Sequence, residues 1–143
     1  MPQRRLSDEA RQHLRLFEEK AGVGPKDCIV DEEFDRVILL VSPRDMADAI
    51  GPGGKTVRDV EELIGKDIKI VADAKTAEDF VANALAPAAV YDVTIETEDD
   101  QSVAYVDVDE QDIGAAIGTD GRNIEAARML ARRHFDIDSI SVN

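Results

Sequence analysis

Apolar residues recur along this chain in helical and strand rhythms, and the rhythms come in the same order twice. The first is helical. Leu6, Ala10, Leu14, Phe17 and Ala21 fall on one face, Ser7 stands as the N-cap, and Asp8 and Glu9 suit the positive end of the helix dipole. Gly22, Gly24 and Pro25 stop it. Two β-type runs follow, residues 28–31 and 36–41, joined through the acidic Asp31-Glu32-Glu33 as a hairpin turn. Ser42-Pro43-Arg44-Asp45 reads as a helix start: a cap, a proline at the first position, an acid three past the cap. Met46, Ala47 and Ile50 give that helix a short buried face. A further helix over residues 55–64 turns Val57, Val60, Leu63 and Ile64 inward. Gly65 ends it, and Ile68-Lys69-Ile70-Val71 alternates as a strand with one wet face.

The second half repeats the order. Thr76 caps a helix with Asp79 three on, and Ala77, Phe80, Val81, Ala84 and Leu85 follow its apolar stripe until Pro87. Tyr91, Val93 and Ile95 alternate with Asp92, Thr94 and Glu96 as a half-buried strand, residues 98–101 turn, and residues 103–108 return. Asp109 caps a short helix in which Ile113, Ala116 and Ile117 mirror Met46, Ala49 and Ile50. A long helix over residues 122–134 and a last strand with Ile137, Ile140 and Val142 complete the copy. Each half therefore predicts α-β-β-α-α-β. The class is α+β, with a three-stranded sheet covered by helices on one face, in two small domains over residues 1–73 and 74–143. A chain of 143 residues has room for two such units.

Between the paired helices of each half lies the same glycine motif. Ile50-Gly51-Pro52-Gly53-Gly54-Lys55 returns as Ile117-Gly118-Thr119-Asp120-Gly121-Arg122. Glycines allow a tight turn at positive φ and let another backbone approach. The N–H groups that open the following helix, with its dipole, favour phosphate, and Lys55 and Arg122 add positive charge at the same spot. A helix–turn–helix corner needing glycine for geometry alone is the bland alternative; the repetition disfavours it. Ala49 to Thr56 also comes close to G-x-x-x-x-G-K-[ST]. A nucleotide-binding P-loop, however, needs a strand running into the loop, and a capped helix precedes this one. The second copy has Arg122-Asn123 where Lys-Thr is required, and each half is too small for the parallel sheet that houses such loops.

Composition changes the picture in one respect. Thirty-one acids against 17 bases give a net charge of −14. Acid excess with few lysines suggests adaptation to high intracellular salt, and taken alone it argues against a nucleic-acid partner. The excess is uneven. Residues 43–58 and 110–133 hold seven bases (Arg44, Lys55, Arg58, Arg122, Arg128, Arg132, Arg133) and six acids, so the loop regions are spared the acid load. The core must be aliphatic, since there are four Phe, two Tyr and no Trp. Cys28 lies in an apolar run as a small hydrophobe. His13 and His134 lack companions at metal-ligand spacing, and the carboxylates are too dispersed to nominate a catalytic pair, so no enzyme, metal or cofactor is expected. No charged-then-apolar leader and no run of about 18 apolar residues appears, which points to a soluble cytoplasmic protein without a membrane role.

Ile-Gly-x-x-Gly-[Lys/Arg] between two helices in α-β-β-α-α-β order resembles the type II KH domain, a single-stranded nucleic-acid-binding module. The tandem, with Asn83-Ala84-Leu85-Ala86-Pro87-Ala88 at its seam and Arg133-His134-Phe135-Asp136-Ile137 near its end, is similar to the archaeal NusA-like transcription termination/antitermination factors. The resemblance implies two tandem type II KH-like domains. Each loop would clamp the backbone of about four nucleotides beside an aliphatic groove. It implies single-stranded RNA and RNA polymerase as partners, and no small-molecule substrate. The RNA-binding residues it implies are Ile50, Gly51, Pro52, Gly53, Gly54, Lys55 and Arg58, with Ile117, Gly118, Thr119, Asp120, Gly121 and Arg122. Ile50, Val57, Ile117 and Ile124 are the candidate groove positions, though such residues on a helix are more often simply core. The variable loop positions, often basic in KH domains, are Pro52-Gly53 and Thr119-Asp120 here, and Asp120 repels phosphate, so the first loop is the stronger site. A KH-type factor of ribosome assembly or translation, or a KH-fold protein adaptor, is the alternative function.

Overall fold

The structure, a computed structural model, describes residues 7–143; Leu6, assigned above to the first helical face, lies outside them. The chain divides into two compact units that meet in sequence between Asp73 and Ala74.

In the first unit, helix α1 (Asp8–Ala21) starts where Ser7 Oγ accepts from the Ala10 N–H at 3.1 Å and ends at Gly22, whose φ of 70° lets its N–H reach Glu18 O. Strands β1 (Asp27–Asp31) and β2 (Arg36–Val41) pair antiparallel, with Cys28 opposite Leu39. After a 3₁₀ turn at Pro43–Asp45 come α2 (Met46–Ile50), the glycine loop, α3 (Lys55–Ile64) and β3 (Asp67–Ala72). Strand β3 lies parallel to β2, giving the sheet order β1-β2-β3. Val37, Leu39 and Val41 join Ala10, Phe17, Cys28, Ala49 and Val60 in one core.

Four expectations are corrected here. Asp31 is not part of a wet turn. It ends β1 at 4% exposure, and its Oδ2 accepts from Arg36 Nε at 2.8 Å, while residues 32–35 make the turn. Strand β3 has no wet face: β2 is central, Ile38 and Leu40 on its second face are no more than 1% exposed, and Lys69, opposite Ile38, is half-buried. Leu63 is 54% exposed, because it lies well round the helix from Ile64 at the edge of the stripe centred on Val60. Ser42 holds the cap position but makes no side-chain cap bond.

The second unit contains α4 (Ala77–Ala84), β4 (Val90–Glu98), β5 (Gln101–Val108), a 3₁₀ turn at Glu110–Asp112, α5 (Ile113–Ile117), the second glycine loop, α6 (Arg122–Phe135) and β6 (Ser139–Val142). Its sheet runs β4-β5-β6, antiparallel then parallel. Thr76 Oγ1 caps α4 by accepting from the Asp79 N–H at 3.2 Å, and Phe80, Val81, Ala84 and Leu85 are fully buried with Leu130 and Ile140. The Phe80 ring packs on Phe135 at 4.8 Å between centroids. Asp99 and Asp100, both at positive φ, turn the β4–β5 hairpin. Tyr91 departs from the expected alternation. The register slips between Val90 and Asp92, which throws Tyr91 outward to 66% exposure, where its hydroxyl donates to Asp109 Oδ2 at 2.6 Å.

Candidate nucleic-acid interface

Each glycine loop is set by what precedes and follows it. A five-residue helix ends at a glycine, Gly51 or Gly118, with φ 80° and ψ 167° or 168°. That region is open essentially to glycine alone. The absent Cβ is also needed for space: one built on Gly51 would lie 2.2 Å from Thr56 Oγ1, and one on Gly118 would lie 2.7 Å from the Asn123 backbone nitrogen. The third position adopts φ 60°, ψ 22° in Gly53 and φ 56°, ψ 22° in Asp120. The fourth takes φ 79°, ψ 14° in Gly54 and φ 80°, ψ 11° in Gly121. The two loops thus share one backbone conformation, and Asp120 occupies a left-handed position that aspartate tolerates. In the first copy α2, not a strand, leads into the loop, so the P-loop geometry is absent.

Two of the donors credited to the helix openings are already used. Gly54 N–H bonds Gly51 O at 3.0 Å and Gly121 N–H bonds Gly118 O at 3.1 Å. Lys55 N–H bonds Pro52 O, and Arg122 N–H bonds Thr119 O. Each loop is therefore closed by two successive i→i+3 bonds through left-handed residues, a pair of tight turns rather than a helix.

Beside the loops stand two exposed aliphatic side chains, Ile50 at 37% and Ile117 at 39%. The buried face expected of Met46, Ala47 and Ile50 is corrected here: Ala47 and Ile50 are exposed, and it is Ala49, with Ala116 in the second copy, that is buried. The reason is helical spacing. The alanines point at the sheet and the isoleucines, one residue on, point about 100° away. Ile124 at 6% belongs to the core, while Val57 is half-buried.

The basic residues divide. Lys55 Nζ pairs with Asp59 at 2.9 Å. Arg58 Nη1 donates to Gly53 O at 2.7 Å. Arg128 bonds Glu125 and donates to Ile140 O at 3.0 Å, and Arg132 donates to Asp138 O at 2.9 Å, so both tie α6 to the segment of β6. The base-rich character of residues 110–133 is thus partly structural. Sequence reasoning missed Asn123, whose Nδ2 lies 3.1–3.2 Å from the carbonyls of Leu85, Ala115 and Ala116 and staples α6 to α5 and to the end of α4. Nothing in its spacing marks that role, because Leu85 is remote in sequence.

An open groove of about 420 Å³ lies between the β1–β2 turn and α3, lined by Phe34, Asp35, Arg58, Glu61, Glu62, Gly65, Lys66 and Asp67. Four acids against two bases make the groove itself a poor host for phosphate, and one of those bases, Arg58, turns its guanidinium to Gly53 O of the loop. Among the described residues no group of three or more His, Cys, Asp or Glu could hold a metal ion, and no helix is long and apolar enough to cross a membrane.

A family model described as the NusA-like second KH domain matches residues 77–143, and a KH-domain model matches residues 9–77. The chain is 54% identical over 137 residues to a probable transcription termination protein NusA of Halococcus morrhuae, covering 96% of each chain. It is 51% identical to the protein of that name from Halobacterium salinarum, covering 96% of this chain and 97% of that one. The crystal structure of APE1850 matches with a TM-score of 0.85 at 30% identity, over 96% of this chain and 100% of that chain.

Proposed function

The chain belongs to the NusA-like family of KH-domain proteins, and on that basis we propose that it is a transcription termination/antitermination factor that binds single-stranded nascent RNA and works with RNA polymerase in the cytoplasm. It acts by binding rather than by catalysis. Its two domains span residues 1–73 and 74–143. RNA lies across the loops Gly51–Gly54 and Gly118–Gly121, with Ile50, Lys55, Arg58, Ile117 and Arg122 beside them. The observation that carries this reading is the shared backbone of the two loops, each with an exposed isoleucine at its shoulder. A corner needed for geometry alone would not keep an aliphatic side chain in water at the same place twice. Groove recognition also suits a chain with so few aromatic residues on which bases could stack.

The test is binding of short single-stranded RNAs, followed by fluorescence anisotropy in molar KCl, to wild type and to the double variant Pro52→Asp, Gly53→Asp. Asp120 already occupies the conformation of Gly53, so the variant keeps the loop shape and adds only charge. Wild type binds and the double variant loses binding. Equal binding by both overturns the assignment of RNA to the first loop. Copurification with RNA polymerase rather than with ribosomal subunits checks the place in transcription.

A further inference from the structure

Two cations follow the first loop, and the structure treats them differently. Lys55, directly after Gly54, pairs with Asp59 one turn along the helix at 2.9 Å. Arg58 has no carboxylate within ion-pair distance among the described residues. Its Nη1 instead donates to Gly53 O, at the variable tip of the loop, at 2.7 Å. Gly54 leaves room for it, since a Cβ there would sit 3.1 Å from that same nitrogen. A guanidinium carries five donors in a planar fork. One is spent on Gly53, and the side chain is exposed. The cation is therefore held at the loop tip by backbone rather than by an acid, in a chain that carries 31 acids.

The second loop has nothing equivalent. The position matching Arg58 is Glu125, which pairs with Arg128, and the position matching Gly53 is Asp120. That loop is braced at its base by the neutral amide of Asn123.

We propose that Arg58 is the phosphate-contacting residue of the first loop, anchored by Gly53 O with its remaining donors directed to the RNA backbone, and that the second loop binds without a cation at this position. This rests on the RNA-binding reading above. Recognition of backbone charge is then strongest at the first loop, where Arg58 is anchored at the tip, while the second loop keeps Arg122 after its last glycine but has Glu125 at the position of Arg58. Lys55, tied to Asp59, contributes less than its place beside Gly54 suggests.

The experiment measures the affinity of a fluorescent oligouridylate across a KCl series for wild type, Arg58→Gln, Arg58→Lys and the charge-conserving pair Lys55→Gln, Asp59→Asn. Thermal melts confirm that each variant is folded. Arg58→Gln weakens binding about tenfold and lowers the log–log salt slope by about 0.7, the value for one lost contact to a single-stranded phosphate. Arg58→Lys keeps the slope and recovers part of the affinity, and the Lys55/Asp59 pair variant loses less than Arg58→Gln. Wild-type affinity in Arg58→Gln overturns the proposal, as does a loss with no change of slope, which leaves Arg58 a brace of the loop. A larger loss in the pair variant assigns the phosphate to Lys55. The double variant Pro52→Asp, Gly53→Asp separates the two levels. If it loses binding while Arg58→Gln does not, only the role of Arg58 falls; if it also binds as wild type does, the reading of the loop as an RNA site falls with it.

Discussion

Lys69 shows how much a single position depends on its neighbours. It lies in β3 opposite Ile38, and its ammonium is pushed down to about 8, first by burial and then by the charge of Arg36. A lysine whose folded pKa is lowered binds fewer protons than the unfolded chain between that value and its ordinary one. Its contribution to stability therefore rises with pH over that window, and its cost is fully present below it. Lys69→Met removes a penalty on the order of 1–3 kcal/mol at neutral pH. The variant's advantage in Tm over wild type is expected to be largest near pH 7 and to shrink as pH rises towards about 10. Thermal melts of both proteins across that range check the sign, and an advantage that grows with pH contradicts it.

The same dependence explains which residue-level expectations held. Ser7, Thr76 and the glycines at positive φ were legible, because a cap and a left-handed turn are requirements of the local backbone. Asp31 and Tyr91 were not. Asp31 is buried by its pairing with Arg36 across a hairpin, and Tyr91 is expelled by a register slip that no alternation of residue types announces.

At the scale of elements, the paired helices around each loop meet at a corner that only glycine can make. In the second unit α5 and α6 meet at Gly118, where the chain must pass the Asn123 backbone without a Cβ between them. Gly118→Ala is expected to cost on the order of 3 kcal/mol, from the glycine-only conformation and the clash together. Gly114→Ala, inside α5 with open space around its Cβ position, is expected to be neutral or to stabilise by up to about 1 kcal/mol. Denaturant unfolding of the two variants provides the comparison, and similar midpoints would contradict the steric account. The element order itself was readable from the sequence, since each half alternates strand and helix periods. The separate 3₁₀ turns that lead into α2 and α5 were not, and read instead as the first turns of those helices, because short tight turns leave no periodic trace.

For the whole molecule, charge is the property that matters most. A net charge of −14 on 143 residues strains the folded chain by self-repulsion in dilute buffer. Molar salt reduces the screening length to about 3 Å. Tm is therefore expected to rise from dilute buffer to molar KCl, as measured by circular dichroism melts, and a flat profile would remove salt adaptation as the reason for the acid excess. High salt also weakens the counterion-release part of nucleic-acid binding, so a broad basic face would gain little there.

Much of this protein is determined by its sequence alone. The repeated α-β-β-α-α-β order, the caps and the two glycine loops are all local, since periodicity and positive φ act over a few residues. Only the tertiary structure decides which apolar residues are core and which remain outside. Ile50 and Ile117 turn to solvent beside the loops, while Ile124 turns inward. It also decides which cations are available. Arg128 and Arg132 are drawn to carbonyls of the last strand and its approach, Lys55 to Asp59, and Arg58 to the loop tip. Those outcomes rest on where a side chain's partners lie in space, and a residue's own position in the chain carries no record of that.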